Sequence, residues 1–331
     1  MSKNLTSDNP YLSEPISPEY VHSIAVSGTP GCPDRCTDAK VLELLMAATA
    51  PNTRRAYDSD IAQFLAWGGA IPSTPQVVAR YLADHATTLS VATLARRLVA
   101  IGQLHTRQGL PNPVAAELVR LTFRGVRRSY GRPQRRVAAL SMDDLLAIVA
   151  SFGQSAKDLR DATILLVGFA GAFRRSELSA IDRKDVDIRA DTIAVMVPRS
   201  KTDQDGRGRM VAIPRGRDPI CPVTALERWF AVSGITAGPV FRPVTKAGRV
   251  LQERISAEAI ALIVKQRVSA IGRDPSRYSG HSLRAGFVTA AATTGVPPWR
   301  IKAQTGHASS AALERYIREG ELFAGSAATF K

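Results

Sequence analysis

Between residues 124 and 136 stand six arginines, Arg124, Arg127, Arg128, Arg132, Arg135 and Arg136, interleaved with Gly125, Gly131 and Pro133. No packed core gathers so many like charges, so this stretch is expected to lie outside the packed cores. It therefore divides the chain. A connector lying along a phosphate backbone and a plain solvated linker both suit this composition. The length of 331 residues agrees with two domains. The division predicted is an arm over 1–35, a helical domain over 36–130, a basic linker over 131–139 and a second domain over 140–331.

The first 35 residues are rich in Pro, Ser and Gly and carry no hydrophobic period, so they read as a mobile arm. Helical spacing follows. Thr53 is the predicted cap of a helix with Ile61, Phe64, Leu65 and Trp67 on its apolar positions, ended by Gly68-Gly69. Thr74-Pro75 opens a second helix, with Val77, Val78, Tyr81 and Leu82 inward. Ser90 caps a third, with Leu94, Leu98, Ile101 and Leu104. Pro113 opens a fourth, through Leu118, Leu121 and Val126. No strand pattern interrupts them, so this domain is expected to be an all-helical bundle.

The second domain is predicted mostly helical with one small sheet. Ser141 opens a helix whose first turn holds Asp143 and Asp144, which suits the helix dipole. Residues 161–173 form a nearly all-apolar helix. Short strand-like runs at 192–197 and 210–213 flank a polar, turn-rich segment, 199–207, expected at a hairpin tip. Further helices are expected near 222–232, 256–271, 281–294, 297–304 and 309–318.

The formal net charge is +15, from 44 Lys+Arg against 29 Asp+Glu. A long polyanion is the natural partner, because each neutralised phosphate releases counterions. No apolar run approaches the roughly 20 residues of a spanning helix, and residues 1–10 hold no apolar signal region, so no membrane is expected and the cytoplasm is the expected location. The cysteines, Cys32, Cys36 and Cys221, are too few for a disulfide framework. Cys32 and Cys36 have the spacing of half a metal site, but no second Cys/His pair follows, and no metal is expected.

Three features carry chemistry near the C-terminus. Gly280-His281 is followed by Arg284, three residues on and on the same helical face as His281. Gly306-His307 ends a short helix, and Arg315-Tyr316-Ile317-Arg318 follows. Upstream, Gly171-Ala172-Phe173-Arg174-Arg175-Ser176-Glu177-Leu178 turns an apolar helix into charge.

At these residues the chain closely resembles the tyrosine recombinase/integrase family, with its Cre-like site-specific recombinases the most similar in pattern and length. The segment around Trp229 to Gly234 is similar too. The resemblance spans the second domain and extends more loosely over the first, which looks like the family's core-binding domain. Any one motif is weak, but the order Arg, Lys, His-x-x-Arg, His, Tyr in a basic two-domain chain is specific.

The resemblance implies a breaking-rejoining fold whose two domains clamp DNA, and a catalytic set of Arg174, Lys201, His281, Arg284, His307 and Tyr316, with Glu177 orienting a catalytic His or Arg. Lys184 is the rival to Lys201. The family has a small or aliphatic residue where Arg175 stands, so Arg175 either contacts DNA or competes with Arg174. Tyr316 is the implied nucleophile, Lys201 the acid for the leaving 5′-oxygen and His281 the base. Arg174 and Arg284 would grip the non-bridging oxygens, with a further hydrogen bond from His307. No cofactor is implied, because a phosphotyrosine bond retains its energy for rejoining.

The implied partners are double-stranded DNA with paired inverted-repeat sites and three further copies of the chain, a monomer in free solution becoming a homotetramer that works through a Holliday junction. Candidate DNA contacts are Arg54, Arg55, Arg96, Arg97, Arg107, Arg199 and Arg207 besides the six linker arginines, with Arg80, Arg209, Arg242, Lys246, Arg249 and Arg254 as further ones. The tail, 321–331, is read either as a frayed terminus or as a helix docking into a neighbouring protomer. Type IB topoisomerases and telomere resolvases share the chemistry, and a DNA-binding regulator without catalysis is the alternative of another class.

Overall fold

The structure is a computed structural model that describes residues 48–132, 137–198 and 208–306. The chain separates into two compact units, Met1–Gln134 and Arg135–Lys331. Each has its own apolar core.

In the first unit four helices are described: α1 (Pro51–Ala66), α2 (Pro75–His85), α3 (Val91–Arg107) and α4 (Glu117–Tyr130). Thr74 and Ser90 cap α2 and α3 as expected, their hydroxyls accepting from Val77 N and Thr93 N. Helix α1 starts earlier than expected. Pro51 occupies its first turn, where a missing N–H costs nothing, and Thr53 lies inside the helix. Helix α1 packs on α3, and α2 on α4. Phe64, Val78, Tyr81, Leu82, Leu94, Leu98 and Ile101 meet between them, each contributing roughly 1.5–3 kcal/mol by leaving water.

Three sequence expectations for this unit are corrected. Pro113 opens a short 3-10 turn, Pro113–Ala115, not the long helix. Helix α4 then buries Val119 and Val126 while Leu118 and Leu121 remain 47% and 48% exposed. Val126 is thus buried as expected, while Val119 takes the inward place expected of Leu118 and Leu121. Arg124, Arg127 and Arg128, assigned to a connector, lie on the last turns of α4, and all three are exposed.

Arg97 is the third. It is buried, with one guanidinium N–H on the Tyr81 hydroxyl and Nε 3.6 Å from the Asp60 carboxylate. Its charge is spent inside the bundle, which corrects its assignment as a DNA contact. Arg96 beside it is exposed but makes a two-pronged bond to Asp60, at 2.7 and 3.0 Å.

The second unit contains α5 (Met142–Ala150), α6 (Ala156–Ala170), α7 (Arg175–Ala180), α8 (Pro222–Ser233), α9 (Ala257–Ala270), α10 (His281–Thr293) and α11 (Pro298–Thr305). Its sheet has order β1 (Val186–Ile188), β2 (Thr192–Val197), β3 (Arg209–Pro214), all antiparallel. Strand β1 and helix α7 were not expected; three and six residues are too short to show a period. Register pairs Val197 with Arg209 at the loop end of the β2–β3 hairpin, beyond which 199–207 lies outside the described residues.

Helix α6 is central and apolar nearly all round, through Ile164, Leu165, Leu166, Val167 and Phe169. It packs on α8 and α10. At Gly168 a Cβ would lie 2.8 Å from Leu283 and 2.9 Å from Leu178, so glycine lets α6, α7 and α10 meet there. A buried charge centre ties α6 to α9. Asp161, fully buried, accepts from Arg160 and Arg267, and Asp158 takes a second arm of Arg267. Trp229 is buried, its Nε1 donating to Val240 O at 2.8 Å. Arg242, a further DNA candidate, is buried and donates to Pro239 O and Ala237 O, which corrects that assignment.

Candidate active site

Helix α6 ends at Ala170, and the chain reverses through Gly171 and Ala172 into Phe173 and Arg174. Ala172 has φ of +50°, a left-handed conformation that costs an alanine on the order of 1 kcal/mol and is retained where surrounding packing dictates it. Its carbonyl accepts Arg284 Nη1 at 2.9 Å. Arg284, only 1% exposed, thus reaches from α10 into this turn.

Arg174 precedes α7 as its N-cap, in extended conformation. Glu177, three residues on, folds back so that its carboxylate accepts Arg174 N at 3.0 Å and Arg174 Nη1 at 2.5 Å. This is half a capping box, since a guanidinium has no lone pair with which to accept the reciprocal bond. The same carboxylate accepts Arg209 Nη2 at 2.7 Å. Glu177 is buried, so one carboxylate holds two guanidinium groups away from water.

Helix α10 brings His281 to the same place. The segment ahead of α5 pairs with the chain ahead of and at the start of α10, Ala138 N to Arg277 O at 2.7 Å and Leu140 N to Ser282 O at 3.0 Å, which fixes where α10 starts. His281 is its first residue, with its N–H donating to Ser279 Oγ at 3.1 Å. Its residue surface is exposed, yet desolvation by the surrounding protein, then the charges of Arg284, Arg174 and Arg175, holds the imidazole below its ordinary pKa of 6.5. The neutral ring is favoured at physiological pH, the state a proton acceptor needs.

The C-terminus of α11 closes the cluster. Gly306 adopts the left-handed cap with φ of +63°. Its carbonyl accepts Arg174 Nη2 at 3.4 Å, and Gln304 O accepts Arg209 Nη1 at 2.5 Å. One carbonyl of the last turn and that of its cap thereby accept from arginines of the site. His307 is next in sequence.

The structure thus brings together four of the seven expected site residues: Arg174, Glu177, His281 and Arg284. Lys201, His307 and Tyr316 lie outside the described residues. Arg174, not Arg175, is the arginine held by Glu177 and the α11 carbonyl; Arg175 is half exposed, with Glu258 at 3.9 Å. Lys184 lies exposed on the short turn Arg183–Asp185. Arg209 was placed by sequence among DNA contacts, but it belongs to this cluster. The signal was a charge opening an otherwise apolar strand.

The electrostatic consequence is plain. Among the described residues one buried carboxylate faces Arg174 and Arg209, with Arg284 reaching into the adjoining turn, so positive charge exceeds negative there. Such a site suits an anion whose charge rises during reaction, and guanidinium forks match the planar oxygen array of a phosphate in displacement.

Of the expected DNA contacts, Arg55, Arg107, Arg124, Arg127, Arg128 and Arg132 are exposed and Arg54 half-buried. Arg55 also donates to Asn52, and Arg107 to Gln103. Arg135, Arg136, Arg199 and Arg207 lie outside the described residues. Among the described residues no helix is long and apolar enough to cross a membrane.

Similarity to known proteins agrees with this chemistry. A profile of the phage integrase family matches residues 137–321. An integrase/recombinase XerD homologue of Selenomonas ruminantium is 35% identical over 298 residues, 87% of this chain and 87% of that protein. Tyrosine recombinase XerC of Pelobacter propionicus is 26% identical over 81% of this chain and 84% of its own length. The fold is shared with the XerH site-specific recombinase bound to palindromic difH substrate, at a TM-score of 0.58, 16% identity, and coverage of 82% and 77%. It is shared also with a lambda integrase dimer bound to a core site, at a TM-score of 0.56, 16% identity, and coverage of 90% and 75%. The chain belongs to the phage integrase family of tyrosine recombinases.

Proposed function

We propose that Tyr316 attacks a DNA phosphate, with its Oη–P bond forming as the P–O5′ bond breaks. The product is a 3′-phosphotyrosine and a free 5′-hydroxyl. The phenolic proton passes to His281, and Lys201 protonates the leaving oxygen. Arg174 and Arg284 hold the non-bridging oxygens as charge rises, and His307 adds a donor. Glu177 touches no substrate; it fixes Arg174. Reversal by a 5′-hydroxyl of another strand rejoins DNA and yields a Holliday junction. The observation that carries this reading is the buried Glu177 carboxylate gripping Arg174 while His281, kept neutral, stands beside Arg174 and Arg284.

The substrate is double-stranded DNA with paired inverted repeats, bound by four copies of a chain that is monomeric in free solution, in the cytoplasm. The exposed arginines of α4, Arg120, Arg124 and Arg128, recur every four residues along one helical face and suit a phosphate backbone. The domain limits proposed are an arm to residue 35, a DNA-binding bundle to 130, a linker to 139 and a catalytic domain beyond.

A nicked suicide duplex carrying a site selected by this protein from a random pool, incubated without metal, tests the reading. Wild type forms a covalent protein–DNA adduct, and Tyr316→Phe forms none. Adduct formation by Tyr316→Phe, or its absence with wild type, would refute it.

A further inference from the structure

Arg209 opens β3, directly after the segment that carries Lys201 in sequence. It is charged yet mostly buried, with its guanidinium over the Phe173 ring, 6.0 Å from the centroid. Its two terminal nitrogens point to different elements: Nη2 donates to Glu177 Oε2 at 2.7 Å, and Nη1 to Gln304 O at 2.5 Å. Gln304 in turn donates through Nε2 to Ala170 O and Ala212 O, joining α6 and β3 to the end of α11. Gly306 completes the fit. A Cβ there would lie 2.9 Å from Arg209 Nε and 3.0 Å from its Cδ, so glycine serves both the left-handed cap and the close approach of this side chain.

We infer that Arg209 is a positioning residue for strand cleavage, an inference that rests on the recombinase site described above. It touches no reacting atom. It locks the Glu177 carboxylate, and through it Arg174, in register with the α11 terminus that leads to His307 and with the strand that follows Lys201. Three separated stretches of chain are thereby held to one geometry. Lysine cannot replace this function fully, because a single ammonium cannot span Glu177 and Gln304 as a planar fork does. An arginine contacting phosphate would behave differently, since its loss lowers affinity and the salt dependence of binding.

The test uses the full chain and the nicked suicide duplex, measuring binding against salt and the cleavage rate of bound complex. For Arg209→Ala the expected result is a cleavage rate lower by about 10- to 100-fold. Affinity and the slope of log Kd against log salt are expected to stay unchanged. In a Glu177→Gln background the further loss on Arg209→Ala shrinks, because both act through Arg174. Should the alanine variant melt early, Arg209→Lys carries the test, with an intermediate rate and an unchanged salt slope. A slope smaller by about one with normal cleavage once bound would overturn the inference and make Arg209 a phosphate contact. So would a lysine variant that folds and cleaves like wild type. If wild type forms no adduct, the recombinase site itself fails. If wild type and Arg209→Ala cleave alike, only the positioning role fails.

Discussion

Two centres in the second unit are built from the same parts and do opposite things. At the first, Asp158 and Asp161 face Arg160 and Arg267, two carboxylates against two guanidinium groups. Arg160 places Nε and Nη2 on one oxygen of Asp161, Arg267 places Nε and Nη2 on the other, and Arg267 stacks over Phe152 at 4.5 Å. That balance makes it a closed joint between α6 and α9. At the second, Glu177 is the one carboxylate among the described residues that faces Arg174 and Arg209, with Arg284 nearby. A buried ion pair is a poor guide to stability, since desolvation offsets its attraction. The difference in balance among the described residues is the better guide to role: a neutral cluster holds helices, and a net-positive one suits an anion.

Asp161→Ala carries the largest expected effect. It leaves Arg160 and Arg267 buried with half their partners gone, and stability is expected to fall by about 3–5 kcal/mol. Urea unfolding measures this. Cleavage by the folded fraction at low temperature is expected to persist, and a loss of less than about 1 kcal/mol would mean the joint is not structural.

Arg174→Ala is the converse. Glu177 keeps Arg209, so the carboxylate stays paired and the melting temperature changes little. The single-turnover cleavage rate is expected to fall by about 10²–10³, the effect of deleting one transition-state donor. Equal damage to stability and cleavage would erase the distinction between the two centres.

The smallest effect sharpens it. Desolvation and the neighbouring arginines hold the His281 pKa below 6.5, so a neutral base survives pH 6.5 and the acid limb of the cleavage rate lies below it. The same shift means the native state binds fewer protons than the unfolded chain. Its penalty is absent well above pH 6.5 and grows as pH falls through 6.5 toward the lower folded pKa. Removing the Arg174 charge raises the His281 pKa, so in Arg174→Ala the limb moves to higher pH. A pH–rate profile that stays put would show that the arginine excess does not act on His281.

Much of this was legible in the sequence. Thr74, Ser90 and Ser141 cap helices as expected, because a hydroxyl before an apolar period has few other uses. The joining of His281 to Arg284 and Arg174 was legible through family resemblance, since spacing alone relates only the first two. What misled was local. The 3-10 turn at Pro113 stands where α4 was expected to begin, and Arg97, on a helix of exposed and buried residues alike, gave no sign that Asp60 and Tyr81 would claim it.

The helical character of both units and the residue types of a phosphate chemistry were legible in the sequence. These follow from composition, from period and from side-chain capacity, which are properties of short stretches. The tertiary structure alone decided which arginine does what. Arg97, Arg160, Arg209 and Arg242 look alike in a list, and charge pairing depends on carboxylates and carbonyls distant in the chain, 95 residues apart between Arg209 and Gln304 and 132 between Arg174 and Gly306. The excess of positive charge around Glu177 was therefore invisible until the fold had brought α7, β3, α10 and α11 to one place.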